Sequence, residues 1–345
     1  MSNSFAGENI PEYKNTDAMG RGNSTISWSN SSVTNVFYNP SFLSEKDDLS
    51  FELIDTTIDV SKNSINLISH LPHLDKGAAY PELHPYFGQS YAAQGFGSPV
   101  ISFKGFTLMP VFASVAGSAA ITNPVFSSAD VFYYQDYGSA LAKGISVTDN
   151  LSLGLSSVFY KRKAELYSAS AVNLLQRASI QERKGQTLSF NAGANYNFKD
   201  KDETVLGVNW MNIGSPKLWQ NQSLIADEDM ISSLHEQVGF GVSSKFFPVP
   251  YFEKKIKWSI EFRNLIDFNE GVSRQVSLGL EYAVFSWLNF TGGLYQSSPT
   301  FGLELSSRFI SLALSTYGEN SGVGYDSVNR HYIVGLKFGF DQDGK

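Results

Sequence analysis

The stretch T-L-S-F-N-A-G-A-N-Y-N-F, Thr187 to Phe198, has two faces that differ in kind. Leu188, Phe190, Ala192, Ala194, Tyr196 and Phe198 fall on one side of an extended strand; Ser189, Asn191, Gly193, Asn195 and Asn197 fall on the other. A period of two marks a strand with one apolar face. The second face says which kind of sheet. A soluble sandwich turns its bulky side inward and shows Lys, Glu and Thr to water. Here the polar face is made of small Gly, Ser and Asn, which suits the crowded, wet interior of a barrel whose apolar side faces lipid.

The same alternation recurs downstream. Ile256, Trp258, Ile260 and Phe262 alternate with Lys257, Ser259, Glu261 and Arg263. Val276, Leu278, Leu280 and Tyr282 alternate with Ser277, Gly279 and Glu281, and Phe301, Leu303 and Leu305 with Gly302, Glu304 and Ser306. The last stretch, Arg330 to Phe340, puts Tyr332, Val334, Leu336, Phe338 and Phe340 on one face and Lys337 among glycines on the other. A final amphipathic strand ending on an aromatic resembles the signal by which assembly machinery recognises outer-membrane barrels, with Tyr332, Phe338 and Phe340 as its carriers.

Composition agrees with this and excludes much else. The 345 residues include 14% aromatics and only 17% charged residues, with a net charge of −7 and no Cys. Disorder goes with few aromatics and high charge, so it is excluded. The acidic balance argues against nucleic-acid binding, and the lack of Cys removes thiol catalysis and zinc fingers. No run approaches the roughly 20 apolar residues of a membrane helix.

Segmenting by alternation gives fourteen strands, near 49–59, 99–108, 111–118, 130–147, 151–162, 186–198, 203–213, 237–247, 255–266, 274–284, 286–296, 299–306, 309–318 and 330–340. Short connections, such as Met109-Pro110 and Thr148 to Asn150, alternate with long ones at 60–98, 163–185, 214–236 and 319–329. Short turns on one side, long loops on the other and an even strand number are what an outer-membrane barrel requires. The fold class is all-β, a transmembrane antiparallel β-barrel of about fourteen strands over residues 49–340, followed by a tail at 341–345. Short helices are expected in the outer loops at 61–75 and 163–182, and an aromatic-rich loop at 80–97.

Residues 1–48 do not read as strands. They hold Asp17-Ala18-Met19-Gly20-Arg21-Gly22 and then, after a Ser/Asn-rich run, Tyr38-Asn39-Pro40-Ser41-Phe42-Leu43. A Gly-rich turn followed by an Asn-Pro element before the first strand resembles the N-terminal region of the FadL-like outer-membrane proteins. That group includes fatty-acid and aromatic-hydrocarbon channels and the PorV shuttle barrel of type IX secretion. Val147 to Gly154, Val208 to Pro216 and Ser277 to Tyr282 extend the likeness, while Arg21 and Ser41-Phe42 depart from it. The resemblance implies a fourteen-stranded barrel whose N-terminal segment plugs the lumen as a hatch, with Met19, Gly20, Gly22, Asn39 and Pro40 in that plug. It implies either transport of hydrophobic compounds or a subunit role in larger machinery. Glycines suit a chain turning closely in a narrow lumen, and Pro40 fixes the exit into the first strand.

Glu261, Arg263, Glu281, Glu304 and Lys337 fall on the polar faces and are expected to form a lumenal ion network. His70, His73, Asp75 and His84 are too loosely spaced for a metal site. His331 lacks hydrolase partners at a defined spacing, and no catalytic motif is present. The expectation is therefore a protein without enzymatic activity, metal or cofactor. The leading functional expectation is transport of small, mostly hydrophobic molecules past the hatch. The alternative is a non-transporting barrel whose outer loops dock a secretion, surface or motility partner, and a soluble secreted β-sandwich is third. Expected partners are the lipid bilayer, a hydrophobic ligand or lipid, the barrel-assembly machinery and a protein at the outer loops, with no nucleic acid. The location expected is a bacterial outer membrane. The first ten residues carry no signal peptide, so a processed sequence is expected.

Overall fold

The structure, a computed structural model, describes residues 13–341 apart from 30, 47, 71–88, 123–127, 171–179, 201, 219–233, 246–254, 267–271 and 321–327. Fourteen antiparallel strands close into one barrel, each paired with its neighbours in sequence and β1 with β14. The strands are β1 (Ser50–Ser61), β2 (Ser90–Phe103), β3 (Phe106–Thr122), β4 (Ser128–Ser146), β5 (Leu151–Ser170), β6 (Ile180–Asn197) and β7 (Val205–Met211). They continue with β8 (Gln237–Ser244), β9 (Ile256–Phe262), β10 (Val276–Phe285), β11 (Leu288–Tyr295), β12 (Ser298–Ser306), β13 (Ile310–Asn320) and β14 (Val328–Asp341). Closure removes every sheet edge, which is the condition for strands to cross a bilayer. The sandwich expectation is thereby overturned.

The apolar faces point outward all the way round. Ile58, Leu141, Leu155, Trp210, Phe240, Leu280, Phe301, Leu314 and Leu336 stand 40–59% exposed. An exposed apolar belt of this extent fits lipid and not water. Tyr332, Phe338 and Phe340 belong to it. At the end of the barrel that carries the short turns, rings pair on the outside. Phe51 meets Phe340, Tyr196 meets Phe198, and Phe285 stacks on Trp287 at 5.4 Å. Such rings form the aromatic girdle of a membrane interface.

Several boundaries differ from the sequence reading. The first tight turn is Lys104-Gly105, both at positive φ, and not Met109-Pro110. Two residues at positive φ match the twist of a hairpin, so Pro110 lies inside β3, at a break in its register with β4. Strand β2 begins at Ser90, so Tyr91 and Phe96 are wall residues and not loop residues. Residues 163–170 and 180–185 extend β5 and β6 and are not helical, because their register continues unbroken to Tyr167–Ile180. Val172, Leu174 and Leu175 lie outside the described residues, as do Tyr80, Tyr86 and Phe87. A helix, α3 (Lys62–His70), does follow β1. The end with long loops also contains a two-residue turn, Gln296-Ser297, again at positive φ.

Inside the barrel lies the N-terminal segment. Helix α1 (Thr16–Gly20) packs against β11 to β14, α2 (Ser32–Phe37) against β2 to β5, and a 3-10 turn (Pro40–Glu45) against β3 to β6. Side chains cap each start: Asn15 accepts from the Ala18 amide, Ser31 from Thr34 and Asn39 from Ser41. Helices of five or six residues do not hold alone. The barrel wall holds these.

Candidate functional site: the seated hatch and the cavity beyond it

The small face of the strands is a seat. At inward positions of neighbouring strands, Gly154 lies against Pro40, Gly193 against the Asn39 side chain, Gly207 against Ile26, and Gly293 against Arg21 and Gly22. A Cβ at any of these positions would overlap the hatch backbone or its caps. Register places Gly144 opposite Gly154, Gly154 opposite Gly193, and Gly279 opposite Gly293, so the glycines run around the wall as a belt. Gly22 itself turns at φ +65°, where a side chain would strike the Leu278 and Leu294 carbonyls. Wall hydroxyls bind the hatch backbone. Thr300 donates to the Gly20 carbonyl at 2.8 Å and accepts from the Gly22 amide at 3.1 Å. Ser315 donates to the Thr16 carbonyl, and Ser243 to that of Ser27.

The lumenal charges bind the hatch more than one another. Glu261, 0% exposed, accepts from the amides of Thr25, Ile26 and Ser27 at 2.9–3.0 Å. Arg263 completes that carboxylate at 2.7 Å and donates to the Asn23 carbonyl. Glu281 receives Arg21 at 2.8 Å, and Lys337 donates to Asp17 at 2.7 Å. Glu304 accepts from Asn289 and Ser311 on its own wall. Burial alone would push the Asp17 carboxyl up; Lys337 and Arg21 beside it outweigh that and hold it below the usual carboxylate range. Met19, Asn39 and Pro40 are all buried in the hatch, and Asn39 donates to the Ile26 carbonyl at 2.6 Å, tying its two ends together.

A second anchor was not foreseen. Lys14 donates to Tyr317 and to Glu319, each at 2.7 Å, and Asp59 accepts from Tyr317 and lies 3.0 Å from His331. His331 is thus part of a buried ion cluster. Burial would lower the Lys14 pKa, but Glu319 and Asp59 outweigh it and raise it above the ordinary lysine value. Asp59 lies in a stretch that reads as a strand, whereas Glu319 falls in the connection read at 319–329 and is in β13 because that strand runs on to Asn320. Lys14 stands in a segment with no period to read. Among the described residues no group of three metal-ligating side chains comes together. His73, Asp75 and His84 lie outside those residues, as does the His70 side chain.

On the long-loop side of the hatch is a cavity of about 100 Å³. Its walls mix aromatics (Tyr13, Phe37, Tyr160) with polar groups (Asn191, Asn212, Arg263). The aromatic part continues sideways. Phe37 of the hatch stacks on Tyr13 at 5.2 Å and meets Phe96 of β2 and Phe112 of β3, each at 5.8 Å. Phe112 in turn meets Tyr160 at 5.5 Å. Directly behind Phe96 and Phe112 the wall is irregular, with the β2–β3 register shifting between Gly97 and Ile101. Pro99 and Pro110 supply no amide there, and the Ser98 hydroxyl fills in, bonding the Pro99 and Val111 carbonyls at 2.9 and 3.0 Å.

No protein-family model and no curated relative matches the sequence. Solved structures do match. The Ralstonia pickettii toluene transporter TbuX aligns over 95% of this chain and 99% of its own, with a TM-score of 0.56 at 11% identity. The fold is that of this transporter's barrel. The P. putida toluene transporter TodX aligns over 96% and 99% at TM-score 0.53 and 11% identity. The CymD monoaromatic hydrocarbon channel aligns over 94% and 97% at 0.52 and 11%. The shared fold thus spans nearly the full length of each of these chains, and at this identity the likeness concerns the fold.

Proposed function

We propose that this chain is a bacterial outer-membrane barrel that takes small, mostly hydrophobic molecules from its long-loop end and passes them sideways through the wall. The observation that carries this is the unbroken aromatic path from the cavity, through Tyr13 and Phe37, to Phe96 and Phe112 at the β2–β3 irregularity. The seated hatch and its ion pairs oppose a straight axial route, and a ligand that is soluble in lipid needs none. The cavity of about 100 Å³ is smaller than the roughly 150 Å³ that holds a single benzene, so a cargo of even one ring enters only as the surrounding side chains give way. TbuX and TodX are toluene transporters and CymD a monoaromatic hydrocarbon channel, which supports the same class of cargo.

The test is accumulation of radiolabelled toluene by cells whose outer membrane carries the barrel, against cells without it. The rate is expected to rise several-fold and to fall toward background when Phe112→Trp fills the path. Equal rates in both cells would reject transport. One feature favours the docking role as a second reading: β3 to β6 run 17–20 residues whereas β7 to β9 run 7 or 8. One side of the barrel therefore reaches further at the long-loop end, as a platform for a protein partner would.

A further inference from the structure

Two residues that line the cavity beyond the hatch hold atoms whose hydrogen bonds are unmade. Asn23 Oδ1 is a buried acceptor and Arg263 Nε a buried donor, and neither has a hydrogen-bond partner among the described residues. The two side chains are neighbours. The Arg263 guanidinium bonds through Nη2, to Glu261 and to the Thr25 hydroxyl at 2.7 Å each, and to the Asn23 carbonyl. Asn23 itself follows Gly22 in the left-handed region, at φ +64°, which Asn enters more readily than most side chains. A buried polar group left unpaired is costly. Two of opposite kind at one cavity therefore call for a common partner.

The chemistry of the pair selects that partner. A hydroxyl donates and accepts with one oxygen, so it serves Asn23 and Arg263 together. A carboxylate only accepts and leaves Asn23 Oδ1 unmet. It also meets charge that is already balanced, since Glu261 holds Arg263 at 2.7 Å and Lys14 holds Glu319, the carboxylate of this cavity, at 2.7 Å. Arg274, the remaining charge on the lining, is exposed. A plain hydrocarbon serves neither atom, and displacing water with a group that cannot reproduce its bonds loses affinity. The apolar part of the cargo has its place alongside. Arg263 lies over the Tyr38 ring at 5.9 Å, Tyr38 meets Tyr13 at 6.5 Å, and Tyr13 stacks on Phe37, where the aromatic path starts. We infer that the cavity selects a single aromatic ring bearing a hydroxyl, with the hydroxyl bonding Asn23 and Arg263 and the ring lying against Tyr13 and Phe37. This rests on the transport reading and narrows its cargo. The ring enters by the same yielding of side chains that toluene needs, and that yielding uncovers the two unpaired atoms.

The experiment is equilibrium dialysis of the full chain, in neutral detergent, against radiolabelled p-cresol, toluene or p-toluate, with binding to empty micelles subtracted. The three share a ring and a methyl group, and p-cresol adds a hydroxyl where p-toluate adds a carboxylate. At pH 7 p-cresol is neutral, since a phenol titrates at about 10. The wild type is expected to bind p-cresol at least roughly ten-fold more tightly than either of the others, because a hydrogen bond to a charged group is worth about that factor or more. Asn23→Gly removes the carboxamide and suits the positive φ. It is expected to lower p-cresol affinity by roughly ten-fold while heat-modifiable migration is kept. The comparison of three ligands on the wild type stands by itself if that variant does not fold. Equal affinity of the wild type for p-cresol and toluene overturns the inference, and so does failure to bind p-cresol at all. Binding of p-toluate as tightly as p-cresol, or more tightly, means an anion site and overturns it too. Unchanged p-cresol affinity in a folded Asn23→Gly has the same force. Dialysis involves no passage across a membrane, so it reads this site while toluene accumulation reads transport, and either can fail alone.

Discussion

Lys337 of the last strand donates to Asp17 of the hatch across 2.7 Å, joining the residue range that closes the barrel to the one that fills it. The bond is charge-assisted and mostly buried, so its loss on protonation is felt. Because the folded-state pKa of Asp17 is depressed, its contribution is complete above the ordinary carboxylate pKa of about 3.9 and is lost as pH falls through the lower folded value. The hatch is expected to stay seated from pH 7 to pH 5 and to loosen in stronger acid. Trp28, buried in the hatch with Arg21 and Lys257 over its ring, reports this. The fluorescence difference between wild type and Trp28→Phe should change in acid, and Asp17→Asn should loosen the hatch already at neutral pH and flatten that acid response.

Gly154 and Gly193 test the seat. A side chain at either position overlaps Pro40 or Asn39, and overpacking of this kind costs about 1–3 kcal/mol. Gly154→Val is expected to leave the closed barrel intact, with heat-modifiable migration preserved, while the segment before β1 becomes sensitive to protease. Gly292, whose Cβ would have no neighbour closer than 3.7 Å, provides the control. Gly292→Ala should leave the cleavage rate at the wild-type value.

How the glycines were read shows what a sequence can carry. Alternation in Thr187–Phe198 sufficed for strand direction, face and the closed barrel, since a period of two and lipid-facing apolar residues are local properties. By themselves the same letters read as a wet lumen. That Gly193 is small because Asn39 occupies the space beside it is a contact over more than 150 positions, and no local pattern encodes it. The ion network was half legible for the same reason. Glu261, Glu281 and Lys337 could be placed inward by parity, but their partners Thr25, Arg21 and Asp17 lie in a segment without period. Lys163 falls in the stretch that reads as helix, 163–182, because the charges at 161–165 mask alternation in strands that rise beyond the lipid.

Glu261 fastens the hatch at four atoms, the amides of Thr25, Ile26 and Ser27 and the Ser27 hydroxyl. It satisfies three successive amides and one guanidinium with no exposure to water. Glu261→Ala leaves Arg263 and those amides without their acceptor, and breaking a buried pair from one side costs about 3–5 kcal/mol. The expected result is faster hydrogen exchange at Thr25, Ile26 and Ser27, by two orders of magnitude or more, with the strand amides of β9 and β10 unchanged. If exchange in the hatch stays at the wild-type rate, the wall hydroxyls and the glycine seat are sufficient by themselves.

Whether the hatch must move for cargo to pass is decided at Ser32 and Ser102. Their hydroxyls stand 3.2 Å apart, one on α2 and one on β2, close to the aromatic path through Phe37. The chain has no Cys, so a Ser32→Cys/Ser102→Cys variant offers one defined bond on oxidation, its sulfurs replacing hydroxyls that stand 3.2 Å apart. The bond fixes α2 to the wall without adding bulk to the cavity. If Phe37 must swing aside to open the way between Phe96 and Phe112, toluene accumulation should drop to background in the oxidised variant and return on reduction. If accumulation persists under oxidation, the rings yield by rotation in place and the hatch is a fixed floor that steers cargo toward the β2–β3 wall.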